Sequence, residues 1–236
     1  IFKMISVCIA TYNGEEYIKE QLSSIISQLH DEDEIIISDD GSTDHTLSLI
    51  HSFNDTRIKI INGPKTNSPI DNFENALKAS SGNYIFLSDQ DDIWIKNKVE
   101  INLRYLQDYD CVISDCCVVD KNMDIISDSF YKMNNTKKGL LYNLVIKNGY
   151  LGCCMSFNRR VLNKCLPFPK NIPMHDIWIG NVSAFYYKTI FISDRLINFR
   201  RHGNNASPTA EKSTYSFLRK IQFRYNIVKN ILLLNL

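Results

Sequence analysis

Apolar and polar positions along the first half of the chain alternate between two rhythms. Residues 4–10 form an apolar run interrupted at Ser6 and closed by Thr11-Tyr12-Asn13-Gly14, which predicts a buried strand. Over residues 15–28 the apolar positions Tyr17, Ile18, Leu22, Ile25 and Ile26 recur at helical spacing. Residues 34–38 are β-branched and predict a second strand, running into Asp39-Asp40-Gly41-Ser42-Thr43-Asp44. Leu47, Leu49, Ile50 and Phe53 predict a second helix, and residues 57–61 a third strand. A third helix is expected over 71–79 with Phe73, Ala76 and Leu77 inward, and a fourth strand over 83–88. Strands alternating with helices imply a mostly parallel, doubly wound α/β sheet. Such sheets bind ligands beyond the carboxyl ends of their strands. Three polar clusters lie at such ends: Thr11 to Asn13, Asp39 to Gly41, and Asp89 to Asp92.

The second half reads differently. Residues 111–119 and Ile125-Ile126 predict a strand and hairpin turning at Lys121-Asn122. Residues 128–139 are polar and expected to be mobile. A further strand is expected over 151–157, then a loop punctuated by Pro167, Pro169 and Pro173 that ends at His175-Asp176. Residues 177–187 resume a helical pattern, and two final strands over 189–192 and 195–201 lead to His202-Gly203-Asn204-Asn205. There is no internal repeat and no low-complexity linker.

Composition narrows the class. The 236 residues are 44% hydrophobic and 22% charged, enough apolar material for a core. A formal net charge of +1 gives no global field toward nucleic acid, and none is expected as a partner. The seven cysteines are odd in number, include two adjacent pairs and form no C-x-x-C. That pattern suits a reducing cytosol better than a zinc site or a disulfide framework. The first apolar run is too short for a signal peptide, and no stretch approaches the ~18 apolar residues of a spanning helix.

The densest chemistry lies at residues 88–94, Ser-Asp-Gln-Asp-Asp-Ile-Trp. Asp89, Asp91 and Asp92 at the mouth of a buried strand repel one another and favour protonation unless a cation is present. Oxygen ligands of this kind suit Mg²⁺ or Mn²⁺. Taken alone, the same residues also fit a solvated acidic turn in which Asp92 caps the next helix.

Five blocks remove that ambiguity by occurring in order. They are Ser6-Val7-Cys8-Ile9-Ala10-Thr11-Tyr12-Asn13-Gly14, Ser38-Asp39-Asp40-Gly41-Ser42-Thr43-Asp44, Asp89-Gln90-Asp91-Asp92-Ile93-Trp94, Met174-His175-Asp176-Ile177-Trp178 and Arg200-Arg201-His202. With them the chain resembles the family 2 glycosyltransferases of GT-A fold, especially bacterial rhamnosyltransferase-like enzymes of surface polysaccharide synthesis. The resemblance runs from about residue 4 to about residue 207. It implies a GT-A domain over 1–207, with a nucleotide-sugar part at 1–110 and a smaller acceptor-side β region at 111–207, followed by a helical tail at 208–236. It further implies a metal-dependent, inverting transfer from a UDP-, dTDP- or GDP-linked sugar to a saccharide or lipid-linked saccharide.

Roles follow from the resemblance residue by residue. Ala10, Thr11, Tyr12 and Asn13 would lie by the nucleobase and ribose. Asp39 would accept a hydrogen bond from the base, Asp40 and Ser42-Thr43-Asp44 would shape the turn, and Asp89 would lie nearer the ribose. Asp91 and His202 would hold the Mn²⁺ or Mg²⁺ that bridges the donor diphosphate. Asp176 would be the base that deprotonates the acceptor hydroxyl, the alternative being a simple helix N-cap after Pro173. Asp92, His175 and Asp115 are candidates for the acceptor pocket, and Trp94 is either a core anchor or a sugar-stacking ring. Arg200 and Arg201 are candidates for phosphate contact, with only one pointing inward if both lie on a strand. Arg201 stands where the family pattern has glutamine. Residues 149–155 resemble the acceptor-side segment before the base, with Gly149 and Gly152 allowing close backbone approach.

Rival classes fit less well. A nucleotidyltransferase wants a glycine-rich basic loop after the first strand, which Thr11-Tyr12-Asn13-Gly14-Glu15 is not. A Rossmann dehydrogenase wants a G-x-G-x-x-G that does not occur. A non-catalytic nucleotide-sugar binder would have no use for both Asp91 and Asp176. The tail carries Arg219, Lys220, Arg224 and Lys229 with no acid after Glu211. It predicts a basic amphipathic helix that lies on an anionic membrane or packs on the domain or a second subunit. The expected location is the cytoplasm, with peripheral contact at the inner face of the plasma membrane.

Overall fold

A computed structural model describes residues 3–203 and 216–234. Asn204, Asn205 and the first part of the tail lie outside the described residues. The first half follows the strand-helix rhythm: β1 (Ile5–Thr11), α1 (Ile18–Ile26), β2 (Glu34–Asp39), α2 (Thr46–His51), β3 (Ile58–Asn62), α3 (Pro69–Ala79) and β4 (Tyr84–Ser88). Then come β5 (Ile93–Trp94), α4 (Lys98–Tyr105), β6 (Cys111–Asp120), β7 (Ile125–Ser127) and α5 (Phe130–Asn134). The chain closes with β8 (Met155–Asn158), α6 (Arg159–Cys165), α7 (His175–Tyr186), β9 (Thr189–Arg201) and α8 (Phe217–Leu233).

One sheet runs in the order β3-β2-β1-β4-β8-β6-β9-β5, with β7 beside β6. β3, β2, β1 and β4 are mutually parallel. β8 enters antiparallel between β4 and β6, and β9 runs parallel to β6. Val7, Ile9, Ile35 and Ile37 are fully enclosed, as are their neighbours Cys8 and Ile36 on the opposite face of the sheet. Both faces of β1 and β2 are covered, which is why they read as unbroken apolar runs and not as alternation. α3 starts where Ser68 accepts the Asp71 N–H and Pro69 takes the first turn.

Several expectations need correction. Residues 128–139 are not uniformly unstructured: Ser129 caps α5, and Phe130 is buried against the core. The strand expected over 151–157 begins as a 3₁₀ turn at Gly152–Cys154 and becomes β8 only at Met155. The two final strands are one, β9. α4 was hidden because its inner face carries Lys98 and Asn102, both fully buried. The Lys98 ammonium is satisfied by the Cys153 carbonyl at 3.3 Å and the Trp94 ring at 5.0 Å. A lysine at a core position erases the apolar period on which a helix is read. All seven cysteines are free thiols.

α8 packs on the domain through Ile227 and Ile231. The Tyr186 hydroxyl donates to the Ile231 carbonyl at 2.7 Å, and Asn226 and Asn230 reach Asn171. No helix among the described residues is long and apolar enough to cross a membrane.

Candidate active site

The carboxyl ends of β1, β2 and β4 open on a cavity of about 640 Å³ whose far wall is the start of α7. Its β1–β2 side is held by hydrogen bonds between the two strand-end loops. The Asn13 N–H donates to Ser42 Oγ at 2.9 Å, and Asn13 Oδ1 accepts from the Thr43 N–H at 2.9 Å. Gly14 N–H reaches Thr46 Oγ1, and the His45 N–H reaches Glu15. Asn13 adopts φ +45°, a conformation that asparagine tolerates better than most residues.

Asp39 belongs to this scaffold. Its carboxylate accepts from the Gly41 N–H, the Ser42 N–H, Ser42 Oγ and Thr11 Oγ1. Four donors fill the acceptor capacity of a carboxylate, and neither Asp39 nor Asn13 lines the cavity. Asp40, assigned to the turn, does line it, while accepting from the backbone of Lys65 and Asn67. Ala10, Thr11 and Tyr12 line it as well.

At the end of β4 the acidic block divides. Asp89 and Asp91 face the cavity. Asp92 turns away into the protein, is fully buried, and accepts the Arg200 N–H at 2.9 Å. Asp92 therefore pins β9 and is neither in contact with the cavity nor a helix cap; the cap position before α4 is Asn97. Gln90, passed over in the sequence, ties this block to β1. Its amide accepts the Tyr12 N–H at 3.0 Å and donates to the Tyr12 carbonyl at 3.1 Å. The only sequence signal for it is its position between two aspartates.

His202, leaving β9, places Nε2 2.8 Å from Asp91 Oδ2 and its ring 4.7 Å from Tyr17. The neighbouring arginines diverge. Arg200 is buried, paired with Glu20 at 2.7 Å and stacked 4.5 Å from Tyr17, whereas Arg201 lines the cavity. One of the pair points inward, as strand alternation requires. Trp94 is buried 5.7 Å from Phe86 and is a core ring away from the cavity. Asp115 also lies away from it, because its carboxylate receives Ser129 Oγ, the Tyr131 N–H and the Cys116 N–H and fastens α5 to β6.

The donor set suits a hard divalent cation. Burial, then Asp91 and Asp176, push the Asp89 carboxyl up to about 8, and burial with Asp91 and Asp89 raises Asp92 well above the usual range. Asp92 Oδ2 has no hydrogen-bond partner among the described residues. A cation beside these groups would relieve both effects. Asp91 Oδ2 and His202 Nε2 are hydrogen-bonded to each other at 2.8 Å, which brings together a carboxylate oxygen and an imidazole nitrogen that could both turn to one cation. Asp89, Asp92 and Cys153 form a second cluster with ligand atoms within 4.8 Å. It is the poorer candidate: Asp92 points inward, and burial holds the Cys153 thiol far above its ordinary value, leaving no thiolate for a metal that prefers oxygen.

The opposite wall is the N-terminus of α7. Its cap is Met174, so Asp176 is not the cap but lies in the first turn, where it lines the cavity. Trp178, fully buried with Nε1 donating to the Cys165 carbonyl at 2.9 Å, fixes this end. Burial pushes the Asp176 carboxyl up to about 7, against the pull of the Ile177 and Gly152 N–H groups. His175 also lines the cavity, stacked 4.1 Å from Phe73, with its pKa lowered by burial to about 3 and both ring nitrogens without a hydrogen-bond partner among the described residues. A Cβ at Gly152 would lie 3.0 Å from His175 Nε2, so the glycine lets the turn close over the ring.

The cavity therefore gathers Ala10, Thr11, Tyr12, Asp40, Asp89, Asp91, His175, Asp176 and Arg201 from all five blocks, with His202 reaching it through Asp91. It leaves out Asn13, Asp39, Asp92, Trp94, Asp115 and Arg200. Asn72 and Phe73 from α3 and Phe199 from β9 also line it and were read only as helix and strand positions.

Known glycosyltransferases resemble the chain in sequence and in fold. A UDP-Glc:alpha-D-GlcNAc-diphosphoundecaprenol beta-1,3-glucosyltransferase of Escherichia coli is 27% identical over 174 residues, 70% of this chain and 64% of that enzyme. The matched region thus spans just under two thirds of that relative. A putative teichuronic acid biosynthesis glycosyltransferase of Bacillus subtilis is 28% identical over 93% of this chain and 88% of its own length. Shigella flexneri dTDP-rhamnosyl transferase is 45% identical over 98 residues, 39% of this chain and 34% of that protein. Among solved structures, S. aureus TarS in complex with UDP-GlcNAc superposes with a TM-score of 0.69 at 18% identity, over 99% of this chain and 66% of that one. It shares the GT-A fold. The family model for glycosyl transferase family 2 matches residues 6–166, more than half of the chain, and the protein belongs to that family of glycosyltransferases.

Proposed function

We propose that the protein is a cation-dependent, inverting glycosyltransferase of surface polysaccharide synthesis, using a nucleotide-linked sugar and a saccharide or lipid-linked saccharide acceptor. One observation carries this reading: a buried carboxyl pushed up to about 7, Asp176, shares a cavity with Asp89 and Asp91. A general base works best with a pKa near the operating pH, and the opposite wall offers ligands for a cation and its phosphates.

The β1–β2 side would receive the nucleoside. Ala10, Thr11 and Tyr12 present backbone and ring to it, and Asp40 takes the place expected of Asp39. Asp91 and His202 would hold Mn²⁺ or Mg²⁺, which when bound supplies positive charge to a diphosphate leaving group. Asp89, which lines the same cavity, would lie toward the ribose, and Arg201 would meet phosphate oxygen. Asp176 accepts the proton of the acceptor hydroxyl while that oxygen forms its bond to the anomeric carbon. The bond from that carbon to the diphosphate breaks on the opposite side, and its electron pair leaves with the nucleoside diphosphate. A single displacement of this kind inverts the anomeric configuration. The neutral His175 ring, with a donor and an acceptor to spare, would orient the acceptor.

The relatives and structural neighbours name UDP-, dTDP- and GDP-linked chemistry, so the donor base is the first thing to measure. Melting curves with UDP, dTDP and GDP, each with and without Mn²⁺, should show one nucleotide that stabilises the protein only with the cation. The matching nucleotide sugar should then be transferred to a lipid-diphosphate saccharide with inverted configuration by NMR. Stabilisation by nucleotide and cation without transfer to any acceptor would replace this reading with that of a nucleotide-sugar binder.

A further inference from the structure

We propose that the outer side of α8 and residues 141–146 form one face that docks on an anionic lipid surface. In α8, Leu218, Ile221, Tyr225, Val228 and Leu232 recur at spacings of three and four, which places them on one stripe. Ile227 and Ile231 enter the core from a different side of the helix, so the stripe is left outward, with Leu218 77% and Tyr225 63% exposed. Arg224 joins it to the second segment by donating to the carbonyls of Leu144 and Ile146. There Leu141 and Ile146 stand 75% and 62% exposed. An apolar surface shared by two elements is more than scattered surface leucines and marks a contact.

Charge selects the occupant. α8 carries Arg219, Lys220, Arg224 and Lys229 and no acid, and Lys137, Lys138 and Lys147 bracket the second segment. From residue 129 to 175 the chain contains no aspartate or glutamate. A second copy would set this basic helix against itself with no acid to pair. An anionic bilayer offers apolar depth and negative charge together. The face also lies on the half of the molecule that carries Asp176: α8 rests on α7, which begins at His175, and residues 141–146 lead within a few residues to Leu151 and Gly152 at the cavity. Its purpose, meeting a lipid-linked acceptor, rests on the proposed function, but the binding itself does not.

Flotation of the 236-residue chain with phosphatidylcholine vesicles, and with the same vesicles containing phosphatidylglycerol, tests the face directly. Binding is expected to be at least about tenfold stronger to the anionic vesicles and to weaken with salt. Leu218→Ser with Tyr225→Ser, and separately Val145→Ser with Ile146→Ser, should each lower partitioning by about tenfold or more. Lys229→Gln should lower it roughly fivefold. All three variants should keep the parent's stabilisation by nucleotide and cation, which shows that they fold. Equal binding to neutral and anionic vesicles, or variants that bind like the parent, would overturn the proposal. So would a dimer in light scattering that Leu218→Ser with Tyr225→Ser dissolves while no vesicle is bound. Vesicle binding without nucleotide stabilisation would instead sink the donor-site reading and leave this face standing.

Discussion

On the β1–β2 side of the cavity, Asp39, Asn13 and Ser42 are fully engaged with backbone and hydroxyl partners. On the α7 side, both ring nitrogens of His175 are buried without a partner among the described residues, and burial lifts Asp176 to about 7. The first side is a finished scaffold whose polar groups stabilise the loops. The second holds polar groups in conditions that cost stability, which is the usual mark of a site shaped for chemistry. The difference predicts that substitutions on the two sides fail in different ways: one loses the fold, the other loses turnover.

Asp176→Asn should show the largest effect. Transfer is expected to fall about a thousandfold, the scale of a lost general base. Stability should move the other way. The folded-state pKa of Asp176 lies above its ordinary value of 3.8, so its contribution to stability is complete at low pH and is lost as pH rises through about 7. The variant should therefore melt several degrees above the parent at pH 8, with the gap closing toward about pH 4. The parent's rate should fall as pH drops below about 7, with the inflection moved lower when a cation sits in the cavity. A variant that is both inactive and less stable at pH 8 would mean that Asp176 is a structural residue.

Next in size is the cation site. Asp91→Ala should abolish the cation-dependent part of nucleotide stabilisation, and His202→Gln should weaken cation affinity roughly tenfold. Titration with Mn²⁺ followed by its paramagnetic resonance signal reads this without turnover. If Asp91→Ala binds Mn²⁺ as the parent does, the ligands belong to Asp89, Asp92 and Cys153 instead.

Asp39→Ala tests the finished side. Four hydrogen bonds converge on that carboxylate, and removing it should cost about 2–4 kcal/mol and lower the melting point by roughly 5–10 °C. Protein that stays folded at lower temperature should still bind nucleotide. A large loss of nucleotide affinity at unchanged stability would restore Asp39 as a base contact.

The contrast also explains what could be read from the chain. β1 to β4 and their helices were legible because parallel strands buried on both faces leave unbroken apolar runs and their helices leave a 3.6-residue period. α4 was not, since Lys98 and Asn102 fill its inner face and their partners, Trp94 and Cys153, are known only after folding. The same limit applied at the cavity. Asp91 and Asp176 were expected there from the family's motifs, whereas Arg200 and Arg201 were equal candidates until the strand placed Arg201 at the cavity. Whether Asp39 or Asp40 faces inward, or Asp91 or Asp92, depends on backbone turns of a single residue that pattern cannot resolve. Asp115, a candidate for the acceptor pocket because it follows Val112-Ile113-Ser114, lies within β6, and the chain returns through Ser129 and Tyr131 to satisfy it.

The smallest expected effect falls on Gln90, which ties the end of β1 to the acidic block that follows β4. Its side chain makes a reciprocal pair with the Tyr12 backbone, which locks the end of β1 to the acidic block so that Tyr12 and Asp91 face one cavity. A Cβ on Gly14 would come within 2.5 Å of the Gln90 carboxamide, so that glycine is what admits it. Gln90→Ala removes two hydrogen bonds that are partly open to solvent, worth about 1 kcal/mol each at most. The melting point should drop by only a few degrees, because β1 keeps its ladder to β2 and β4. Nucleotide affinity should fall about fivefold, since Tyr12 must then be ordered by the ligand itself. Cation affinity measured without nucleotide should stay at the parent value, as Asp91 and His202 do not depend on Tyr12. If cation and nucleotide binding fall together, Gln90 acts on Asp91 directly, and the β1 end and the acidic block are not separately built.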